Sequence, residues 1–337
     1  MKIFISVIDP SAKLYISRII PYLDGEIFST SAKIGRVIAN LDGMSVVGIP
    51  SVKNFFLKFI EIASFLNSTK IDIGVFCDSP DFNIILGILF RRIQKSAKMI
   101  YFIPPSVWAW RPERQKIIEE NFNSVICILP FEKDIWKKNG IYVGHPLCKI
   151  IKEEIELWNH QISRGMAEKE RYAFLPGSRY SELENHRDII ECLPKFIKGK
   201  EILVPTDFFW LFGDDYKVVP MKLSRWVIYV SNFVISASGT AVLESALLGR
   251  PTVVFYKLPK TVFEIAKRMV KVPFISLPNL ILGKEVFPEL LQEEANPQRI
   301  YQEIQKLRNR DFSNYAEELF CALDGFSFEK IAQIIQS

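Results

Sequence analysis

Two doubly wound α/β domains are predicted by three features of the 337-residue sequence. Short runs rich in Val, Ile and Phe alternate with longer helical patterns, the order that builds parallel sheets. Runs such as VVGI (46–49) and TVVFY (252–256) are apolar on both faces, as strands are when helices cover both sides of a sheet. The alternation occurs as two series, the polar stretch 152–170 follows the first, and the chain is long enough for two cores.

The first series places strands near 2–8, 45–49, 71–76, 98–103 and 124–129. The second places them near 171–175, 201–204, 217–219, 232–236 and 252–256, with helix-like segments between most of them. The boundary falls near Gly144-His145-Pro146, giving Rossmann-like domains at 1–147 and 148–337. The last helix, about 326–336, is assigned to neither by pattern and is open to packing back on the first. MKIFISVIDP reads as strand one, since it has no basic leader before its apolar run and no small-residue cleavage site. A cytoplasmic location is therefore expected.

Composition excludes several classes. Hydrophobic residues make up 49% and mean hydropathy is +0.12, yet apolar stretches such as 82–90 are too short to span a bilayer. Five scattered cysteines argue against a disulfide framework and show no metal-ligand spacing. A net charge of +5 leans toward anionic partners such as nucleotide phosphates or acidic lipids, and is too small to argue for nucleic acid. No DxD pair or His/Cys cluster is present, so no metal or other cofactor is expected.

Two loops carry a phosphate-binding pattern. In RYAFLPGSRYSELENHRDII (171–190) a strand runs into Pro176-Gly177-Ser178-Arg179 and a helix follows. Glycine permits close backbone approach, and a helix start offers N–H groups and a favourable dipole to an anion. The plainer reading is a capping box from Ser181 and Glu184 with Arg179 in solvent. In NFVISASGTAVLESALLGRPTVVFY (232–256), Ser238, Gly239 and Thr240 form a second helix start at a strand's carboxyl end, with Glu244 one turn in and Gly249 as helix stop. Glu244 is within reach of ribose hydroxyls or is a solvated carboxylate. Neither loop is a Walker A or GxGxxG motif, which disfavours kinases and dinucleotide dehydrogenases.

Cys77-Asp78-Ser79-Pro80-Asp81-Phe82-Asn83 places two carboxylates after the run IDIGVF. Ser79 as N-cap, Pro80 at the first helical position and Asp81 in the first turn account for Asp81 by helix chemistry. Asp78, just before the cap, has no such account. Residues 51–67 fit a helix apolar almost all round, with Asn54, Lys58 and Glu61 as a narrow polar stripe. It reads either as a core helix or as one lying in a membrane interface. Lys257, Lys260, Lys267, Arg268 and Lys271, interleaved with Phe263, Ile265 and Met269, read as a solvated face or a lipid-headgroup surface.

Longer motifs add a resemblance. YFIPPSVWAWRPER (101–114), ILPFEKDIWKKNGIYVGHPL (128–147), FLPGSR (174–179), ASGTAVLE (237–244), AKRMVKVPFISLPNLILGKEVFPELLQEE (266–294) and DSPDFN (78–83) together resemble the lipid A disaccharide synthase family over most of residues 71–300. The resemblance implies a GT-B fold, two Rossmann-like domains facing a cleft. It implies inverting transfer of 2,3-diacylglucosamine from UDP to 2,3-diacylglucosamine 1-phosphate, forming a β-1,6 disaccharide and UDP without a metal. Carried over, it puts Gly177, Ser178, Arg179, Ser238, Gly239, Thr240, Glu244, Asn279, Glu289 and Gln292 at the UDP-sugar, with Asn279 otherwise a turn residue and Glu289 and Gln292 otherwise an exposed helix face. It puts Asp78 at the base, and Ser11, Trp110 and Arg111 on the acceptor side. His145 is a weaker base candidate that reads better as packing at the domain junction, and His160 and His186 receive no role. The expected partners are UDP-2,3-diacylglucosamine, 2,3-diacylglucosamine 1-phosphate and the inner-membrane surface, with no nucleic acid and with a homodimer left open.

The family's Gly-rich loop after strand one, Gly-Glu-x-Ser-Gly-Asp, is here Ile8-Asp9-Pro10-Ser11-Ala12-Lys13. Ser11 is kept, both glycines are gone and Lys13 reverses a charge. That departure keeps two alternatives in view: another GT-B UDP-sugar enzyme, and a lipid-binding homologue with altered catalysis.

Overall fold

Two wholly parallel sheets organise the chain, each reversing its strand order once. The structure, a computed structural model, describes residues 1–42, 49–161, 169–270 and 272–337. It divides into two units, Met1–Pro146 with Gly325–Ser337, and Leu147–Asp324.

The first unit holds β1 (Lys2–Val7), β2 (Glu26–Ser29), β3 (Arg36–Val37), β4 (Ile73–Cys77), β5 (Lys98–Phe102), β6 (Ser124–Cys127) and β7 (Gly140–Tyr142), in the order β3-β2-β1-β4-β5-β6-β7. Its helices are α1 (Pro10–Ile19), α2 (Ile49–Ser68), α3 (Pro80–Ile93), α4 (Glu113–Asn121) and the single turn α5 (Glu132–Ile135). The second unit opens with α6 (Pro146–Gln161). It holds β8 (Arg171–Leu175), β9 (Glu201–Pro205), β10 (Tyr216–Val219), β11 (Phe233–Ala237), β12 (Thr252–Tyr256) and β13 (Glu289–Leu291), in the order β10-β9-β8-β11-β12-β13. Around them lie α7 (Tyr180–Asn185), α8 (Arg187–Phe196), α9 (Ser224–Val230), α10 (Thr240–Leu247), α11 (Lys260–Met269), α12 (Leu277–Leu282), α13 (Pro297–Leu307) and α14 (Ser313–Leu323). The chain ends in α15 (Phe328–Gln336), which belongs to the first unit.

The order reverses between β1 and β4 (Val7 opposite Cys77) and between β8 and β11 (Leu175 opposite Ser236). Open α/β sheets bind ligands outside the strand ends at such reversals. Both sheets are double-faced, so β1, β4 and β11 are buried along nearly their whole length. The first unit packs on aromatic rings: Phe4, Phe76, Phe90, Phe122 and Tyr101 contact one another at centroid distances of 5.0–6.2 Å. A methyl group at Gly87 would run into the Phe122 ring, so that helix can lie close only as glycine. Cys77, Cys127 and Cys148 are buried free thiols.

Four strands depart from the sequence reading. β2, β3, β7 and β13 were not expected; β3 and β7, of two and three residues, are too short to display a period of two. PELLQ is not an α-helix: Pro288 begins an extended segment whose carbonyl accepts from Val254 N–H at 2.9 Å, Glu289–Leu291 then pairs with β12 as an edge strand, and Gln292 opens a 3-10 turn. The strand expected at 45–49 lies outside the described residues, except for Ile49, which opens α2. The side chains of Asn54 and His160, and all of Lys271, also lie outside them.

α2 combines both faces expected of it. Ile62 and Leu66 are buried, and the rings of Phe55 and Phe59 pack tilted against Phe82 of α3 at 5.3 and 4.5 Å. Phe56, Leu57 and Ile60 are 65, 49 and 52% exposed. α11 goes further, since none of its residues is buried. Among the described residues no helix is long and apolar enough to cross a membrane. α15 is tied to the first sheet by Lys98 Nζ, which donates to the carbonyls of Ile334 (2.7 Å) and Ile335 (3.3 Å). Gln336 Nε2 also donates to Asp24 O at 3.1 Å.

Candidate active site

At the end of β4 the backbone turns left-handed for two residues, with φ of 49° at Asp78 and 42° at Ser79. Each such non-glycine residue costs roughly 1–2 kcal/mol, so surrounding bonds must hold it. Asp78 N–H donates to Phe102 O at 3.1 Å. Its carbonyl accepts from Asn83 Nδ2 and from Tyr101 Oη, both at 2.9 Å. Asn83 is fully buried; it also donates to Cys77 O at 2.8 Å and accepts from Ser6 Oγ at 2.6 Å. β1, β4, β5 and α3 thus all fix one aspartate at the strand reversal. Ser79 occupies the N-cap position, but its side chain makes no cap bond, which corrects the expectation of a serine cap.

Asp81 is more than a first-turn charge. Arg111 Nη1 donates to its Oδ1 at 3.0 Å and Arg114 Nη2 reaches the same oxygen. Arg111 is itself left-handed (φ 52°), and its guanidinium lies 4.4 Å from the centroid of the Trp110 ring, which is 36% exposed. Two expected acceptor-side residues are therefore stacked together and anchored to the helix that follows Asp78. Trp108 packs edge-on against Phe131 and donates to Glu132, a carboxyl that burial pushes up to about 7. The third, Ser11, donates from both N–H (2.9 Å) and Oγ (2.5 Å) to Asp9 Oδ1, the N-cap of α1. Lys13 is bound to Asp42 at 2.6 Å, so its reversed charge has a structural partner.

In the second unit Gly177 has φ 128°, and a Cβ there would collide with Glu182. Ser178 and Arg179 N–H donate to Glu182 Oε2 at 3.1 and 3.3 Å. The helix start is therefore closed by the Glu182 carboxylate at N3 accepting from the Arg179 N-cap amide, not by Ser181 with Glu184, and these two amides are engaged rather than open to an anion. What this loop extends outward is the Arg179 side chain, 58% exposed.

The β11 loop differs. Ser238 Oγ donates to Ile275 O at 3.1 Å, and Gly239 is extended, with open space where a Cβ would stand. No protein contact requires glycine there. Thr240 opens α10. Glu244 is 8% exposed, not solvated: Arg225 Nη1 donates to it at 3.1 Å while Arg225 Nε and Nη2 bind Glu154 at 2.6 and 2.7 Å. Burial raises the Glu244 pKa and Arg225 opposes the rise.

Asn279, Glu289 and Gln292 form the shell behind that loop. Asn279 is fully buried in α12, not in a turn. Its amide donates to Phe287 O and Glu289 Oε1 (2.8 Å each) and accepts from Val286 and Phe287 N–H (2.9 and 3.0 Å). Glu289 also accepts from Ile275 N–H (2.7 Å), Ser276 N–H (3.0 Å) and Ser276 Oγ (2.7 Å). Gln292, left-handed at φ 52°, accepts from Leu258 N–H at 2.7 Å and donates to Leu258 O at 3.0 Å. Glu289 lies on an edge strand and Gln292 opens a single 3-10 turn, so neither lies on the α-helix face expected. Both hold backbone segments, and Ser238 ties one of those segments to the β11 loop.

Two histidines are now placed. His145 is buried, edge-on to Tyr15 at 6.1 Å, and burial lowers its pKa to about 3, which suits packing rather than proton transfer. His186, assigned nothing from the sequence, is fully buried and bonded at both ring nitrogens. Its flanks, ELEN and RDII, are too polar to advertise burial. Among the described residues no cluster of His, Cys, Asp and Glu could hold a metal ion.

The family model described as Lipid-A-disaccharide synthetase matches residues 3–323. The chain is 34% identical over 302 residues to the lipid-A-disaccharide synthase of Acinetobacter baylyi, covering 80% of this chain and 76% of that one. It is 33% identical over 316 residues to that of Aquifex aeolicus (88 and 87%) and 36% identical over 286 residues to that of Campylobacter jejuni (82 and 78%). In fold it is similar to the UDP-GlcNAc 2-epimerase of Neisseria meningitidis bound to UDP-GlcNAc, with TM-score 0.63, 12% identity and coverage of 100 and 98%. The kitacinnamycin glycotransferase gives TM-score 0.62 at 11% identity, with coverage of 99 and 98%. Identities this low show the fold alone.

Proposed function

The chain belongs to the lipid-A-disaccharide synthase family and is a glycosyltransferase; from that premise we propose that it transfers 2,3-diacylglucosamine from UDP to 2,3-diacylglucosamine 1-phosphate, giving the β-1,6 disaccharide and UDP. The observation that carries the mechanism is Asp78, a carboxylate-bearing residue locked in a strained conformation at a strand reversal. Inverting transfer needs one base for the attacking hydroxyl and positive charge for the departing diphosphate. Asp78 is assigned the first task. Arg179 and the Ser238-Gly239-Thr240 start of α10 are assigned the second, with Gly177 and Ser178 shaping the loop that carries Arg179. Glu244, fixed by Arg225, is assigned to ribose hydroxyls. Asn279, Glu289 and Gln292 hold the loops around them. Trp110, Arg111 and Ser11 are assigned to the acceptor.

Diacyl substrates reside in membranes, so peripheral membrane binding is part of the proposal. Two surfaces support it: Phe56, Leu57 and Ile60 on α2, and Val262, Ile265 and Met269 on α11, a stripe bordered by Lys260, Lys267 and Arg268. Substitutions of these apolar residues by Ser should abolish co-sedimentation with anionic vesicles at low salt; wild-type protein that does not sediment removes the membrane from the proposal. Incubation with UDP-2,3-diacylglucosamine and 2,3-diacylglucosamine 1-phosphate should yield disaccharide and UDP in equal amounts. UDP without disaccharide, or transfer confined to other sugars, would overturn the reaction.

A further inference from the structure

We propose that His186 is a positioning residue, a brace that fixes the loops after β8 and β12 on either side of the Ser238-Gly239-Thr240 loop; this rests on the reading that these loops take the UDP-sugar. In the sheet β11 lies between β8 and β12, so no ladder hydrogen bond joins the two outer strands. The imidazole makes the link instead. Its Nδ1 lies 2.6 Å from Pro176 O at the base of the Arg179 loop, and Lys257 N–H, just past β12, donates to Nε2 at 3.2 Å.

These partners dictate one tautomer. A carbonyl only accepts, so Nδ1 carries the hydrogen; a backbone N–H only donates, so Nε2 is bare. The ring packs edge-on against Phe255 and Tyr256, at centroid distances of 4.9 and 5.9 Å. Its backbone N–H donates to the carbonyls of Glu182 and Leu183, which seats it at the junction of α7 and α8. The β12 loop receives two further ties: Lys257 Nζ binds Asp188 at 2.5 Å, and Gln292 closes on Leu258. Three side chains, those of His186, Asp188 and Gln292, therefore hold Lys257 and Leu258, and His186 joins this segment to the β8 loop through uncharged bonds.

Protonation of Nε2 would set an N–H against the Lys257 N–H and break that contact. The charged groups facing the ring are Glu182 and Asp188, which favour the cation, and Lys257, which opposes it. Burial, the largest influence, keeps the pKa below the ordinary 6.5. The brace is thus intact at neutral pH and released on the acid side.

Three variants separate the contacts. His186→Phe keeps the ring and removes both bonds. His186→Asn keeps a donor where Nδ1 stood, and His186→Gln keeps an acceptor near Nε2. The KM for UDP-2,3-diacylglucosamine and kcat are measured from pH 5 to 8, beside UDP binding by calorimetry at neutral pH. For H186F we expect KM and the UDP Kd to rise about tenfold with kcat changed by less than about twofold, and smaller rises for H186N and H186Q. Wild-type KM should rise toward the acid end of that range, and H186F should lose that limb. The donor's diphosphate diester does not titrate in this range but the acceptor's phosphate monoester does, so it is the loss of the limb in H186F that assigns it to His186. Folded H186F with wild-type KM and an unchanged acid limb overturns the brace. If H186F does not fold, H186N decides by the same two readouts. Wild-type protein that binds no UDP overturns the underlying reading, and the brace with it.

Discussion

The two units share a strand order yet stiffen their site loops in opposite ways. Four of the five positive-φ non-glycine residues among those described, Asp78, Ser79, Ile103 and Arg111, lie in the first unit. There the backbone is strained so that an acid and an arginine stand at fixed points, and the ion pair that anchors them, Arg111 with Asp81, is partly exposed (37 and 51%). In the second unit Gly177, Gly249 and Gly283 take the left-handed positions, and the carboxylates Glu182, Glu244 and Glu289 are turned inward onto amides or arginine. The difference matches the assigned tasks. A base must present a reactive side chain outward, whereas a diphosphate site needs its backbone held still. The first is achieved with strain that buried polar bonds hold in place, and the second with carboxylates turned inward onto backbone amides and arginine.

Asp78→Asn is the most severe test of the first half of that contrast. Asparagine tolerates the left-handed region as well as aspartate does, so folding should be kept. UDP release at saturating substrates should fall about 10²- to 10⁴-fold; unchanged turnover removes Asp78 from the mechanism. The second half is tested by Arg225→Met, which leaves Glu244 and Glu154 facing each other without their cation. Urea unfolding should show a loss of about 3–5 kcal/mol. Arg111→Met, which cuts a pair open to solvent, should lose under about 1 kcal/mol. Equal losses would erase the distinction.

pH sharpens the contrast within the first unit. His145, held near 3 in the folded state and near 6.5 unfolded, binds fewer protons folded than unfolded between those values. Stability therefore falls as pH drops through that window, by up to about 1.4 kcal/mol per unit. Glu132, raised from 4.5 to about 7, has the opposite sign: it holds its proton in the folded state, so stability falls as pH rises from 4.5 to 7. The two slopes oppose each other from 4.5 to 6.5, and His145 acts without that opposition below. Unfolding curves of His145→Phe should show a shallower acid slope below 4.5, the remainder coming from carboxylates held low such as Asp42, Glu170 and Glu201; an unchanged slope removes His145 from it. The smallest expected effect is Ser79→Gly, which relieves left-handed strain but loosens the unfolded chain, for a net gain under about 1 kcal/mol. A clear loss of stability would mean that Ser79 is not strained.

The long buried strands were legible because an apolar run of five bounded by turn residues is a strong signal. β3 and β7 were not, because edge strands of two or three residues carry no period. Ser181-x-x-Glu184 reads as the cap because serine is the ordinary N-cap residue, whereas a lone N3 carboxylate, Glu182, closing on the amides before it has no sequence signature. Gly177, Gly239 and Asp78 could be picked out by type and position at strand ends. The bonds behind them could not, since Asn279, Glu289 and His186 find their partners only once the strands stand side by side.

α15 lends the chain a chronology. A ribosome emits residues 147–324 before residues 325–337, so the second unit can be complete while the first still lacks its last helix. Until then Lys98 has no Ile334 or Ile335 carbonyl to bind, and the surface of α1 and β4 that α15 covers stays open. The unit that is translated first is the one that matures last, and nascent chains halted before residue 325 should expose the first unit, not the second, to proteases and chaperones.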